Sequence, residues 1–144
     1  MGIEYYRILS APEGRGWAQV YVRNSYEREV FERFGSLFGV MFSDDGLVGD
    51  KEIEIFRKIE EVSSVEANKG NLGMVLNLLK NFGLNGVFAW VVMENEERKV
   101  KIGGIGPVTI SMTRGKSMYK LLESGGDQIM SGVLKDGDKL LLGM

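Results

Sequence analysis

The chain has 144 residues, of which 44% are hydrophobic and 26% charged, and its formal net charge at pH 7 is −2. This balance excludes a strongly basic surface for nucleic acid and is ordinary for a globular protein, so we expect residues 1–144 to form one domain, or the N-terminal part of a longer one. The chain has no histidine and no cysteine, which excludes disulfides, thiolate chemistry and the commonest general base.

The first third of the sequence predicts three strands. Residues 3–9 and 17–22 are rich in Tyr, Ile and Val, and a loop that contains Pro12 separates them. Residues 24–33 are charged without a clear period, which predicts a loop or a short helix. Residues 37–42 are apolar throughout and have the length of a strand, which ends at an Asp-Asp-Gly turn.

Two amphipathic helices follow. The first is predicted over residues 50–68, with Asp50 as its N-cap and apolar residues at helical spacing. The second is predicted over residues 71–82, beginning at Asn71 and ending before Gly83, which suits a left-handed C-terminal cap. Its apolar stripe is wider, so we expect the second helix to be the more buried of the two.

The centre of the sheet is predicted at residues 87–93, which are apolar on both faces, as expected of a strand that is covered on each side. A polar turn follows at residues 94–98. Residues 99–102 and 108–113 alternate between apolar and polar side chains, which predicts two half-buried strands.

The C-terminal segment predicts a further strand and a hairpin. Residues 117–122 have strand composition, and the polar, Gly-rich residues 123–128 predict a loop. Asp136-Gly137 predicts a tight turn that joins residues 131–134 to residues 139–142, because Asp-Gly supplies positive φ angles. Strands, two helices and a meander of strands together predict an α+β fold with a largely antiparallel sheet.

The sequence predicts a cytoplasmic domain without a membrane span. The N-terminus lacks the basic and then apolar order of a signal peptide. The longest apolar run, residues 87–93, is far too short to cross a bilayer.

Three segments carry a resemblance to a known family. They are residues 38–49 with their Asp-Gly after a strand, residues 100–111 with Gly104-Ile105-Gly106-Pro107-Val108, and residues 134–143 with their Gly-Asp followed by apolar residues. In order and spacing they resemble the metal-dependent protein phosphatases of the phosphatase 2C type, over roughly the first two-thirds of that domain. The resemblance implies a phosphatase 2C-like sandwich with both helices packed on a sheet.

The resemblance also implies a chemistry. In this family carboxylates and a backbone carbonyl hold two Mg²⁺ or Mn²⁺ ions, which activate a water that attacks phosphoserine or phosphothreonine. Oxygen ligands suit those ions, and a chain without His or Cys could supply them. Asp45, through its side chain, and Gly46, through its carbonyl, match the family's Asp-Gly ligands. They are the candidate metal ligands of this sequence.

The remaining family carboxylates are not matched. Residues 14–19 stand where an adjacent acidic pair is expected, and Pro107 stands where the family has an Asp. The late Asp-Gly is expected after Gly143-Met144, at the end of the given sequence. One matched carboxylate is too few to hold two divalent ions, so no catalytic residue and no cofactor is expected, with Mg²⁺ or Mn²⁺ as the only candidates.

Each candidate motif also has a purely structural interpretation. Residues 44–46 are of turn type, and the Gly-rich residues 103–106 favour a β-bulge or a tight turn over a phosphate loop, since no helix follows them. Trp17 and Trp90 favour the core over base stacking.

Three hypotheses for function remain open. The first is a catalytically degenerate phosphatase 2C-like domain that binds or regulates a protein partner. The second is a Mg²⁺- or Mn²⁺-dependent phosphatase of which this chain is a part. The third is an unrelated α+β scaffold that forms homo-oligomers through an edge strand.

Overall fold

The computed structural model describes Ile3, residues 16–45 and residues 49–143, without the side chains of residues 124–127. The described residues form an α+β fold in which every strand pairing is antiparallel. The elements in chain order are β1 (Trp17–Arg23), α1 (Arg28–Phe34), β2 (Ser36–Ser43), α2 (Gly49–Ser63), a 3₁₀ turn (Glu66–Asn68), α3 (Leu72–Asn81), β3 (Asn85–Glu94), β4 (Glu97–Arg114), β5 (Ser117–Val133) and β6 (Lys139–Gly143).

The sheet has the order β1-β2-β3-β4-β5, and β6 pairs with β4. Strand β4 is long and carries register shifts between Gly103 and Ile105 and between Gly106 and Thr109, where it bends. Its first half pairs with β3 and its second half pairs with β6, while β5 follows it on the other side. Strands β3 and β6 therefore lie one after the other along the same side of β4.

Two apolar clusters cover the two faces of the sheet. On one face α2 and α3 pack against the sheet, with Ile59, Leu76 and Trp90 fully buried between the layers. On the other face the second half of β4 packs back over β3, so that Ile110 joins Val87 in one cluster. Strand β3 is buried on both sides, which confirms the sequence prediction of a central strand.

The helices confirm the predicted order with two corrections. Asp50 lies in the first turn of α2, which begins at Gly49, and is not its N-cap. The predicted helix over residues 50–68 ends at Ser63, whose hydroxyl donates to the carbonyl of Ile59 at 2.6 Å. Val65 is extended, and only a 3₁₀ turn follows. Helix α3 begins after Asn71 as predicted, and Gly83 has the predicted positive φ of 68°.

The predictions for the C-terminal segment are confirmed only in part. Residues 99–102 and 108–113 are in strand conformation as predicted, but they belong to one strand, β4. Residues 123–128, predicted as a loop, lie within β5. Asp136-Gly137 does form a turn, with a φ of 86° at Gly137, but the strands on either side of it do not pair. Strand β6 pairs with the second half of β4 instead, because there Leu140 and Leu142 join the second apolar cluster.

Two further sequence predictions concern the N-terminal strand and the membrane span. The strand predicted over residues 3–9 lies outside the described residues except for Ile3. In the described ranges, no helix has both the length and the apolar character needed to cross a bilayer.

Candidate functional site

The ends of β1, β2 and β3 meet at one end of the sheet. Trp17, at the start of β1, pairs with Ser43, and Phe42 pairs with Asn85 at the start of β3. The turn that holds Asp45 leaves β2 directly after Ser43. The first resemblance segment therefore lies beside the beginnings of two other strands.

The second resemblance segment reaches the same end at Gly106, and the third reaches it only at Gly143, because its Asp136 and Asp138 lie against Arg98 and Arg114. Gly106, in the bend of β4, lies against Asn85: a Cβ added to this glycine would lie 2.4 Å from the Asn85 Oδ1. Two residues beyond Pro107, Thr109 pairs with Gly143 at the end of β6. We call this place the motif end of the sheet, and define it as residues 43–45, Asn85, residues 106–109 and Gly143.

The candidate metal ligands are only partly described. Asp44 and Asp45 are exposed, and the backbone N–H of Asp45 donates to the Ser43 Oγ at 3.3 Å. Gly46 lies outside the described residues. Asp45 is therefore placed at the motif end as an exposed turn residue, without a described contact to a second strand.

The described side chains do not form a metal centre. Within residues 16–45 and 49–143, no group of three or more His, Cys, Asp or Glu side chains could hold an ion. Glu123 lies on β5, opposite Thr109 of β4, but its carboxylate contacts the Nζ of Lys120 at 3.4 Å. A pair of bridged divalent ions needs many more hard oxygens than one exposed turn supplies, so the described residues do not fit the ion pair of the family.

The sequence did not indicate Asn85 and Thr109. Asn85 brings an amide and Thr109 a hydroxyl to the motif end, and neither belongs to a recognisable motif. Both groups are neutral donors and acceptors at neutral pH. They reach this end because distant strands pair, and no local pattern reports that pairing.

The Gly-rich residues 103–106 allow β4 to bend. A Cβ added to Gly104 would lie 2.5 Å from Val108 Cγ2 and 3.0 Å from the carbonyl oxygen of Gly86. Because side chains are excluded there, the strand can turn back over the sheet. The register shifts at this point show an irregularity of the kind that a β-bulge, one of the two predicted structures, produces.

The opposite end of the sheet holds a buried polar cluster that sequence reasoning missed. Arg23 donates through Nη1 to the Ser63 Oγ at 2.6 Å and through Nη2 to the carbonyl of Phe34 at 3.2 Å. The Trp90 Nε1–H donates to the same carbonyl at 2.8 Å, which confirms Trp90 as a core residue. Burial lowers the pKa of Arg23 and raises that of the neighbouring Tyr21. These residues join the C-terminal ends of α1 and α2, and we call them the clamp: Tyr21, Arg23, Phe34, Ser63 and Trp90.

Other cations near the clamp are also engaged by the protein itself. The Nζ of Lys69 donates to the carbonyls of Glu32 at 2.9 Å and Met93 at 3.0 Å. Arg114 binds the carboxylate of Asp138 at 2.9 and 2.6 Å. This pairing lowers the pKa of Asp138, mainly through the hydrogen bonds from Arg114. These groups fix the fold and leave few donors for a ligand.

An open cleft of about 400 Å³ lies beside α1, lined by Tyr26, Arg28, Phe31 and Met93. Arg28, its charged lining residue, already pairs with Glu32 at 3.0 Å. The cleft therefore brings no convergent set of free polar groups to a ligand.

The comparisons with known proteins add no relative to this geometry. No family model matches the chain, and neither a curated protein nor a solved structure matches it. The function is accordingly inferred from the residues and contacts of this chain.

Proposed function

We propose that this chain is a phosphatase 2C-like domain that lacks the catalytic metal centre and acts as a non-enzymatic binding or regulatory module. Its support begins with the positions of the three resemblance segments. The segments are far apart in the sequence, and the pairing of β2 with β3, the bend of β4 and the pairing of β4 with β6 bring one part of each, at Asp45, Gly106 and Gly143, toward one end of the sheet. The Gly137-Asp138 pair of the third segment lies away from that end, with Asp138 bound by Arg114. A common site is the arrangement that a phosphatase-like ancestor would require.

The observation that carries the proposal is the charge of this common site. Its described side chains include two exposed aspartates on one turn and the neutral groups of Asn85 and Thr109, and Pro107 takes the place of a family carboxylate. Without a clustered set of carboxylates, neither of two bridged ions would be held against its own hydration. No metal-bound water would then be available to attack a phosphate ester.

The same end is suited to weak protein recognition. It offers the amide of Asn85 and the hydroxyl of Thr109, which can form hydrogen bonds with a partner's backbone without desolvating a charge, beside an exposed turn with two carboxylates. The chain carries no excess of positive charge, so a protein is the favoured partner over a nucleic acid.

The metal-free proposal is tested by thermal unfolding in the presence of Mn²⁺. We expect the Tm to be unchanged at concentrations up to about 10 mM, because an ion stabilises the native state only by binding to it. An ion bound with a dissociation constant of about 0.1 mM would stabilise the fold by about 2.7 kcal/mol at that concentration, which is readily measured.

Two variants make this experiment specific. Asp45→Ala removes the matched ligand, and Asp136→Ala removes an aspartate that is 99% exposed and pairs loosely with Arg98. A Mn²⁺-dependent rise in Tm that Asp45→Ala abolishes and Asp136→Ala retains would contradict the proposal. Turnover of a phosphoserine peptide with Mn²⁺ would contradict it too, and would favour the metal-dependent phosphatase.

A further inference from the structure

The second half of β5 is an edge strand with an apolar and exposed surface. We call residues 128–133 the edge segment. Every one of its side chains is exposed, including Ile129 at 45% and Met130 and Val133 at 41% each. In the described part of the chain, the edge segment pairs only with the first half of β4, so one side of its backbone has no strand beside it.

One hydrogen bond shows which backbone N–H and C=O groups of the edge segment face β4 and which face away from it. The N–H of Leu134 donates to the carbonyl of Arg98 at 2.8 Å, and in an antiparallel pair such bonded residues alternate with non-bonded ones. The N–H and C=O groups of Ile129, Ser131 and Val133 therefore point away from β4. The Val133 carbonyl already accepts from Arg114 Nη2 at 3.1 Å, and its second lone pair can still accept from a partner strand.

The edge segment lacks the usual protection against strand pairing. Natural edge strands carry charged side chains or proline, which hinder the addition of another strand. The first half of β5 carries Lys120 and Glu123, whereas no charged residue stands between Gln128 and Leu134. The two halves of one strand thus differ, and only the second half is open to an uncharged strand.

We propose that the edge segment pairs with the same segment of a second copy of this chain, antiparallel about a two-fold axis at Ser131. In this register Ile129 lies opposite Val133 of the second copy, and β-branched pairs of this kind stabilise antiparallel sheets. Met130 lies opposite Gly132 of the second copy. A Cβ on Gly132 would meet nothing within 4 Å, so the methionine has room there.

The charge of the edge segment and the area that its pairing would bury both fit a second copy of this chain that binds weakly. The edge segment itself carries no charged side chain, and the two cations that contact it are each paired within the chain, Lys101 at Ser131 with Glu94 and Arg114 at Val133 with Asp138. Two identical segments therefore meet without placing unpaired like charges opposite each other. Pairing along so short a segment buries less than the roughly 1,200 Å² of a stable interface, which indicates a reversible dimer. In a two-fold symmetric pairing, the exposed backbone groups of one edge segment bond to the same groups of the second copy, so a second copy of the chain completes the pairing.

Cross-linking tests the position of the two-fold axis. The chain has no cysteine, so Ser131→Cys introduces a single thiol. Hydrogen-bonded antiparallel residues have Cα atoms about 5.5 Å apart, which lies within the range of a disulfide. We expect Ser131→Cys to form disulfide-linked dimers at least about tenfold faster than Met118→Cys, which is 75% exposed on the first half of β5. Equal rates would overturn the proposal.

Sedimentation velocity tests the association without a cross-link. The unmodified chain is expected to approach twice the monomer mass between about 5 and 500 µM, whereas Ile129→Lys weakens association at least about tenfold. Met118→Lys is the control that leaves association unchanged, and circular dichroism verifies that both variants fold. A chain that is monomeric throughout, or an equal effect of both lysines, would refute the dimer. Neither outcome bears on the proposed function, which rests on the motif end.

Discussion

The two ends of the sheet use their polar groups in different ways. At the clamp, the side chains of Arg23 and Trp90 donate to one backbone carbonyl, and nearby Lys69 donates to two more. At the motif end, Asp44 and Asp45 are exposed, and the hydrogen bond described for their turn joins the Asp45 N–H to the Ser43 Oγ.

The comparison separates groups that hold the fold from groups that are free to bind. Cations whose donors are already used by helix-end carbonyls cannot bind a ligand without losing stability. Side chains on an exposed turn lose hydration and rotamer freedom when a partner binds them, but no contact that holds the fold has to break. The motif end is therefore the place for recognition, and substitutions at the two ends are expected to affect stability unequally.

The largest effect is expected for Trp90→Ala. Trp90 is 1% exposed and donates to Phe34, so its loss leaves a large cavity and should lower the free energy of unfolding by about 3–5 kcal/mol. Trp17, at the motif end, is only partly buried, and Trp17→Ala should cost about half as much. Urea denaturation measures both changes.

Trp90→Phe separates packing from hydrogen bonding if the alanine variant does not fold. It keeps a ring in the core and removes the indole N–H, with an expected cost of about 1–3 kcal/mol. If Trp17→Ala proves as destabilising as Trp90→Ala, the two ends contribute equally to stability and the contrast between them fails.

An intermediate effect is expected at the bend of β4. Gly106 has a φ of 87°, and a Cβ there would collide with Asn85, so Gly106→Ala should cost about 2–3 kcal/mol. Gly115→Ala is the matched control, because Gly115 has a φ of 61° and open space around it. It should cost about 1 kcal/mol, the penalty of the left-handed conformation alone. Equal losses on thermal unfolding would show that Asn85 yields readily and that the motif end is less constrained.

Local patterns predicted much of this fold. Helix α3 follows from its apolar stripe, and β3 from a run that is apolar on both faces. The Asp136-Gly137 turn was also predicted, but its strands were paired wrongly. Turn chemistry fixes a local change of direction, whereas the partner of β6 depends on the bend of a strand some thirty residues earlier.

The candidate site shows the same limit. Asp45 was predicted from a short motif, and the structure places it in an exposed turn at the motif end. The contact of Gly106 with Asn85 beside the end of β2 and the pairing of Gly143 with Thr109 were not predicted, because they result from pairings between distant strands. The clamp was missed for a related reason: an arginine in a strand gives no sign that two helix ends will meet it.

The smallest effect concerns the ion pair between Arg114 and Asp138. Hydrogen bonds from Arg114 hold the pKa of Asp138 below its ordinary value of 3.8. A carboxyl whose pKa is depressed by folding contributes stability above its unfolded pKa and loses it as the pH falls through the folded value. We therefore expect a contribution that is complete at pH 5 and above and declines below about pH 4.

Asp138→Asn isolates this contribution. The variant should lower the Tm by about 2–5 °C at pH 7, and the difference from the unmodified chain should shrink as the pH falls below about 4. Arg114→Met should reproduce the same pH dependence, because it removes the other half of the pair. If the difference in Tm stays constant down to about pH 2.5, the carboxylate of Asp138 does not stabilise the fold through its charge. The hydrogen bond that Asp138 accepts from the Lys135 N–H at 2.9 Å does not enter this difference, because an asparagine oxygen can also accept it.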